Sequence, residues 1–279
     1  MLTKMQASVK NIERGNAMLI DFTVENFRSF KAPVTLSMVE HRGAGATRQG
    51  KGRRTLKPDS EIAPASQVEG RNFALLPAVG IFGANASGKS NLVHALDTML
   101  TYIVHGNEFN KHPLEEMIPF KLDEGSANAP TSFRLRVARQ SSIFTYQLEV
   151  DRKRIRLERL ELVPPPPRRA RLLFERRWNP IDGSYHWKNG SDFAGPHLQL
   201  QPRLNESLPY LTLLVKQIEV DVIKSLITWL QGRFFGLSLG QEELERFITA
   251  EIVHKHGGKD DLISFLRGFD TGLADVEVE

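Results

Sequence analysis

The sequence predicts an α/β fold: a phosphate-binding core, an antiparallel β lobe and a helical last third. Three observations carry this. Gly83-Ala84-Asn85-Ala86-Ser87-Gly88-Lys89-Ser90 fits G-x-x-x-x-G-K-[ST]. Between residues 131 and 162 apolar and polar side chains alternate, the period of a strand with one wet face. From Leu211 onward the apolar spacing becomes helical.

The loop is read first. Glycines at 83 and 88 let the backbone wrap an anion, so that successive N–H groups converge on phosphates. Lys89 reaches the outer phosphates, and the Ser90 hydroxyl is a Mg²⁺ ligand. The context fits. Leu75-Leu76-Pro77-Ala78-Val79-Gly80-Ile81-Phe82 reads as a buried parallel strand. Leu92, Ala95, Leu96, Met99, Leu100 and Ile103 give the following helix one buried face. A nucleoside triphosphate with Mg²⁺ is the expected ligand. No guanine-specifying Asn-Lys-x-Asp is present, which favours ATP.

The remaining elements follow in chain order. Residues 1–17 form a polar tail, and 18–162 an N-terminal lobe with the loop and the antiparallel sheet. Leu19 to Phe27 alternates as a strand, with Pro33 to Val39 as its partner. Residues 40–72 are rich in Gly, Arg, Ser and Pro and read as a long loop. Phe133, Leu135 and Val137, then Ile143 to Val150, then Ile155, Leu157, Leu160 and Leu162 mark three more strands. Pro164 to Pro167 end the run, because proline cannot donate to a ladder. Residues 163–202 are expected to be a Pro-rich connector and a small hairpin turning at Asp182-Gly183. Residues 203–279 are helical. Leu211, Leu214, Val215, Ile218, Val222, Leu226 and Leu230 share one helical face. Further helices are expected at 242–256 and 260–267, before a truncated strand at the end.

Composition bounds the rest. The chain has 279 residues, 41% of them hydrophobic, enough for a substantial core. It has no cysteine, which excludes disulfides and thiolate metal sites. No apolar run reaches membrane-spanning length, and the first residues lack the apolar core of a secretory signal, so a cytoplasmic location is expected. The formal net charge is only +4, yet it is unevenly spread. Residues 42–57 hold six Lys/Arg and no acid, and 152–177 hold ten Lys/Arg. These two patches fit a nucleic-acid backbone. They also fit a solvated loop and a charged strand face, since neither patch has interleaved aromatics or a groove-reading element.

Glu25-Asn26-Phe27-Arg28-Ser29-Phe30 together with Gly83 to Asn91 resembles the ABC-type ATPase heads of the SMC, RecF and OLD-like group. The similarity is greatest to bacterial AAA-type ATPases related to OLD nucleases, several of which serve in anti-phage defence. It is strong at 26–30 and 83–91 and weak elsewhere. The resemblance implies an ABC-like P-loop fold that binds ATP and Mg²⁺ between two subunits. Gly83 to Asn91 and Arg28 would then line the nucleotide, and the chain would form a homodimer or join a catalytic or nuclease partner. Hydrolysis in such heads also needs a carboxylate pair after four consecutive apolar residues. This sequence departs there: the nearest approach is Gln147-Leu148-Glu149-Val150-Asp151, which alternates. Leu237-Ser238-Leu239-Gly240-Gln241 differs from the L-S-G-G-Q signature at one position. It reads either as a degenerate signature or as a turn between helices. The resemblance thus implies an ATP-binding head that is split, truncated or degenerate, hydrolysing ATP only when completed by a partner or a missing lobe. A non-catalytic dimerisation or DNA-binding module and an inert fragment are the other readings.

Overall fold

A computed structural model describes residues 17–41, 66–106, 113–139, 141–217 and 221–232. All lie in the compact unit Met1–Phe234; the second unit, Phe235–Glu279, lies outside the described residues. So do the basic stretch 42–57, the L-S-L-G-Q segment, the helices expected at 242–256 and 260–267, and the final strand.

Strand β1 (Ala17–Glu25) turns back on β2 (Val34–Ser37). A separate two-stranded ribbon pairs β3 (Ser66–Gln67) with β4 (Ala74–Leu75). Helix α1 (Lys89–His105) follows the phosphate loop, and the short α2 (Glu124–Asn128) follows a 3-10 turn at Pro113–Glu116. Then come β5 (Thr131–Arg139), β6 (Ser142–Val150), β7 (Ile155–Val163), β8 (Arg171–Asn179) and β9 (Ser184–Asn189). Helices α3 (Tyr210–Gln217) and α4 (Asp221–Gly232) close the described chain.

Seven strands form one antiparallel sheet in the order β2-β1-β5-β6-β7-β8-β9. Alternation works as expected. Phe133, Leu135, Val137, Phe144, Tyr146, Leu148 and Leu160 point to one face and are buried. That face shares a continuous core with Leu92, Leu96, Met99 and Ile103 of α1, Leu211 and Leu214 of α3, and Ile223 and Leu226 of α4.

The opposite face carries a second, smaller core of Ile20, Val68, Leu75, Ala138 and Ile143 at one end, and elsewhere it is polar and crosslinked by ion pairs. Arg136 meets Asp21 from the neighbouring strand, and Arg159 meets both Glu161 and Glu175. Glu175 is also approached by Arg177 and Lys188 at 3.6 and 3.7 Å. Burial pushes the Glu175 carboxyl up, but Arg159, Arg177 and Lys188 outweigh it and hold the group below its usual range.

A buried polar cluster ties α3 to the sheet. Glu158 on β7 accepts the backbone N–H groups of Tyr210 and Leu211 at 2.8 and 2.9 Å, and the Tyr146 hydroxyl at 2.9 Å. It therefore caps the helix from outside the helix's own sequence. Arg176, also fully buried, lies 3.8 Å from Glu158 and donates to the carbonyls of Leu208 and Asn205. Its guanidinium covers the Tyr185 ring at 4.0 Å.

Two expectations are corrected. The segment 75–82 is not a buried parallel strand. Only Ala74–Leu75 is strand, paired antiparallel, and Val79 and Phe82 are exposed. Leu75 bridges Val39 and Leu76 N–H donates to the Met38 carbonyl at 2.7 Å, but from Pro77, which lacks a ladder donor, to Phe82 no described strand pairs with the segment. Second, the hairpin after the prolines is not separate from the preceding lobe: β8 pairs directly with β7 and extends the sheet. The helical run expected from Leu211 to Leu230 is described over Tyr210–Gln217 and Asp221–Gly232, and 218–220 lie outside the described residues.

Candidate phosphate-loop site

The loop 83–88 is irregular, exposed and tightly folded. Ser87 N–H donates to the Ala84 carbonyl at 3.2 Å. Ala86 has φ +62° and Gly88 φ +91°, both in the left-handed region. Gly83 is needed for space rather than for its φ, since a Cβ there would lie 2.8 Å from Ser87 Oγ. Asn85 sits at the exposed outer bend.

Helix α1 begins at Lys89 with Gly88 as its N-cap. The cap makes no side-chain hydrogen bond, and the first turn holds no acid. The helix's positive end and its first N–H groups therefore face the loop without a capping carboxylate. Leu92 N–H closes the first turn on the Gly88 carbonyl at 3.0 Å. The Lys89 ammonium donates to the carbonyls of Gly83 and Ala84 at 2.8 and 2.7 Å, which holds it at the loop mouth. Ser90 is exposed in the first turn of this helix, two residues after the loop's last glycine.

The second sequence signature packs against this helix start. Residues 26–30 form a tight turn in which Phe27 and Phe30 exchange backbone hydrogen bonds at 2.9 and 2.8 Å. Asn26 and Arg28 adopt φ values of +52° and +49°. Asn26 anchors the turn. Its Nδ2 donates to the carbonyls of Ser126, Ala129 and Pro130, and its Oδ1 accepts from Phe120 N–H. Phe27 is fully buried and packs its ring 5.8 Å from Phe133 on the sheet. Ser29 Oγ accepts from Asn91 Nδ2 at 2.8 Å. Phe30 lies so close to Gly88 that a Cβ there would be 2.8 Å from its ring. Arg28 donates from Nη2 to His94 Nε2 at 2.5 Å. Burial lowers the His94 pKa first, and the Arg28 charge lowers it further, against the weaker pull of Asp97 and Glu116.

The structure thus brings Gly83 to Asn91 and Arg28 into one neighbourhood. Sequence reasoning missed Ser29, Phe30 and His94 as parts of it. Ser29 and Phe30 lay inside the quoted signature. His94 follows Ser90 by four residues, the spacing that puts two side chains on one helical face. The residues suit a triphosphate with Mg²⁺: a glycine-lined bend, an ammonium, a hydroxyl and an uncapped helix start.

The basic stretch 152–177 is largely spent on internal pairing. Arg154 pairs with Glu206, Arg156 with Asp151, Arg171 with Asp192, and Arg159, Arg176 and Arg177 as described above. Arg152 and Lys153 remain exposed at the β6–β7 turn, beside a cavity of about 220 Å³ that Arg156, Thr131 and Met117 also line. Arg168 and Arg169 remain exposed beyond the other end of β7. No helix among the described residues is long and apolar enough to cross a membrane.

A model of the AAA domain family described as AbiEii toxin-like, Type IV TA system, matches residues 78–221. The match runs from just before the loop into the start of α4 and covers more than half of the chain. No curated protein matches.

Proposed function

The chain belongs to this AAA domain family, and from that premise we propose that it is an ATP-binding ATPase whose nucleotide sits on the 83–90 loop. The observation that carries the reading is the uncapped start of α1 behind a glycine-lined bend, with Lys89 held at its mouth. The loop amides and Lys89 would bind the phosphates, Ser90 would hold Mg²⁺, and Asn85 would shape the rim. Bound Mg²⁺ neutralises charge on the outer phosphates and orients them. The turn 26–30 keeps the start of the helix in place from behind.

We further propose that turnover needs a second subunit, either another copy or a catalytic partner. The sequence offers no Asp-Glu pair after four consecutive apolar residues. A role in DNA-linked or anti-phage defence, of OLD-related type, fits both the motif resemblance and the toxin-like description of the family. Mg²⁺ as the metal, and nucleic acid as a partner met through the exposed cations of 152–177, belong to the same proposal.

The test is titration with labelled ATP and Mg²⁺, with Lys89→Ala as control and phosphate release measured in parallel. Saturable binding that Lys89→Ala abolishes, with negligible phosphate release by the chain alone, supports the reading. Equal binding by Lys89→Ala refutes the site. Rapid phosphate release by the isolated chain refutes the need for a partner.

A further inference from the structure

We propose that His94 is a positioning residue for the nucleotide site, holding the Arg28 guanidinium against the first two turns of α1 by accepting its hydrogen bond. The inference rests on the ATP-binding reading above.

The geometry is specific. Arg28 Nη2 lies 2.5 Å from His94 Nε2. Guanidinium has only donors, so Nε2 must offer its lone pair and the imidazole carries its proton on Nδ1. Arg28 is fixed from two other directions. Its backbone N–H donates to the Ile118 carbonyl at 2.8 Å, and its guanidinium lies 5.6 Å from the centre of the Phe27 ring. Phe27 in turn packs 6.2 Å from the His94 ring. Arg28 Nε is buried and has no hydrogen-bond partner, so the His94 contact sets the direction of the group.

The placement gives the contact a consequence. His94 stands one helical turn after Ser90, about 5–6 Å along the same face. Ser29, the next residue after Arg28, is hydrogen-bonded to Asn91. An arginine held there adds positive charge at the helix end that faces the loop. Protonating His94 would remove the lone pair and set two cations against each other. The other charged groups facing the ring are Asp97 and Glu116, which favour the proton, while burial and Arg28 oppose it. Arg28 orientation, and through it nucleotide affinity, therefore depends on His94 being neutral.

The experiment measures Mg·ATP affinity for wild type, His94→Ala, His94→Gln, Arg28→Ala and the double variant Arg28→Ala/His94→Ala, from pH 5.5 to 8. His94→Ala is expected to weaken binding about tenfold, the size of one hydrogen bond to a charged group. His94→Gln supplies a carbonyl acceptor and restores most of the affinity. The double variant binds no more weakly than Arg28→Ala. Wild type loses affinity relative to His94→Gln as the pH falls, and comparing the two at each pH cancels titration of ATP itself. Wild-type affinity in His94→Ala, or a further loss on adding it to Arg28→Ala, overturns the proposal. Imidazole ¹⁵N shifts give a test without ligand: the Nδ1–H form is expected, biased by Arg28, and the Nε2–H form overturns the assignment. Lys89→Ala separates the two levels, because unchanged affinity there refutes the nucleotide site itself.

Discussion

Gly88 combines φ +91° with a wall formed by Phe30 and Ser29. Gly88→Ala must strain the backbone and push the Phe30 ring away, at an expected cost of about 1–3 kcal/mol. Urea unfolding would show the loss, and ATP titration would show a parallel drop in affinity. Asn26 invites a second test. It also sits at positive φ, which asparagine tolerates better than most residues. Asn26→Ala removes the side-chain contacts to the carbonyls of Ser126, Ala129 and Pro130 and to the Phe120 N–H, leaving the Ser126 carbonyl only the Ala129 N–H as a donor. About 2–3 kcal/mol of stability should go with them. Near-wild-type stability would mean that the 26–30 turn holds itself. The loop glycines, Lys89 and Ser90 were legible in the sequence because their roles are local. Asn26's anchoring role was not, since its partners lie about a hundred residues away. Nor was the contact of Phe30 with Gly88, which exists only once β1 and α1 are packed.

At the scale of elements, caps borrowed from other segments carry much of the argument. Glu158 serves α3 from the sheet, so Glu158→Ala strands two backbone N–H groups, the Tyr146 hydroxyl and the Arg176 charge together. Breaking a buried pair this way costs about 3–5 kcal/mol, which calorimetry would register as a large fall in Tm. Asp123 caps α2 through Ser126 N–H and Oγ and pairs with Lys31, and these contacts hold its pKa at about 2. The folded pKa lies below the unfolded one. Its stabilisation is therefore complete above about pH 4 and is lost as the pH falls towards 2. Asp123→Asn should flatten that part of the acid-unfolding curve. Periodicity located α1, β5, β6 and β7 because each buries one face of a regular element. It failed at 75–82, where an apolar run looks like a strand but a strand needs neighbours.

For the molecule as a whole, the continuous core joining α1, α3 and α4 to seven strands predicts joint unfolding. Hydrogen exchange should protect the amides of β8 together with those of β6 and β7, despite the proline run between β7 and β8. Early, independent exchange of β8 would restore the picture of a separate hairpin. Mg·ATP should raise the same transition, by about 2.7 kcal/mol at a hundred times its Kd, and not in Lys89→Ala. The ion-paired face has a consequence for handling. Glu175 is the shared counter-ion of Arg159, Arg177 and Lys188. Glu175→Gln would unmask Arg177 and Lys188, leave Arg159 only Glu161, and convert a mixed-charge strip into an adhesive for polyanions. The purified variant should elute later from a sulfonate column and carry over more cellular RNA, a change in stickiness far larger than one unit of net charge suggests.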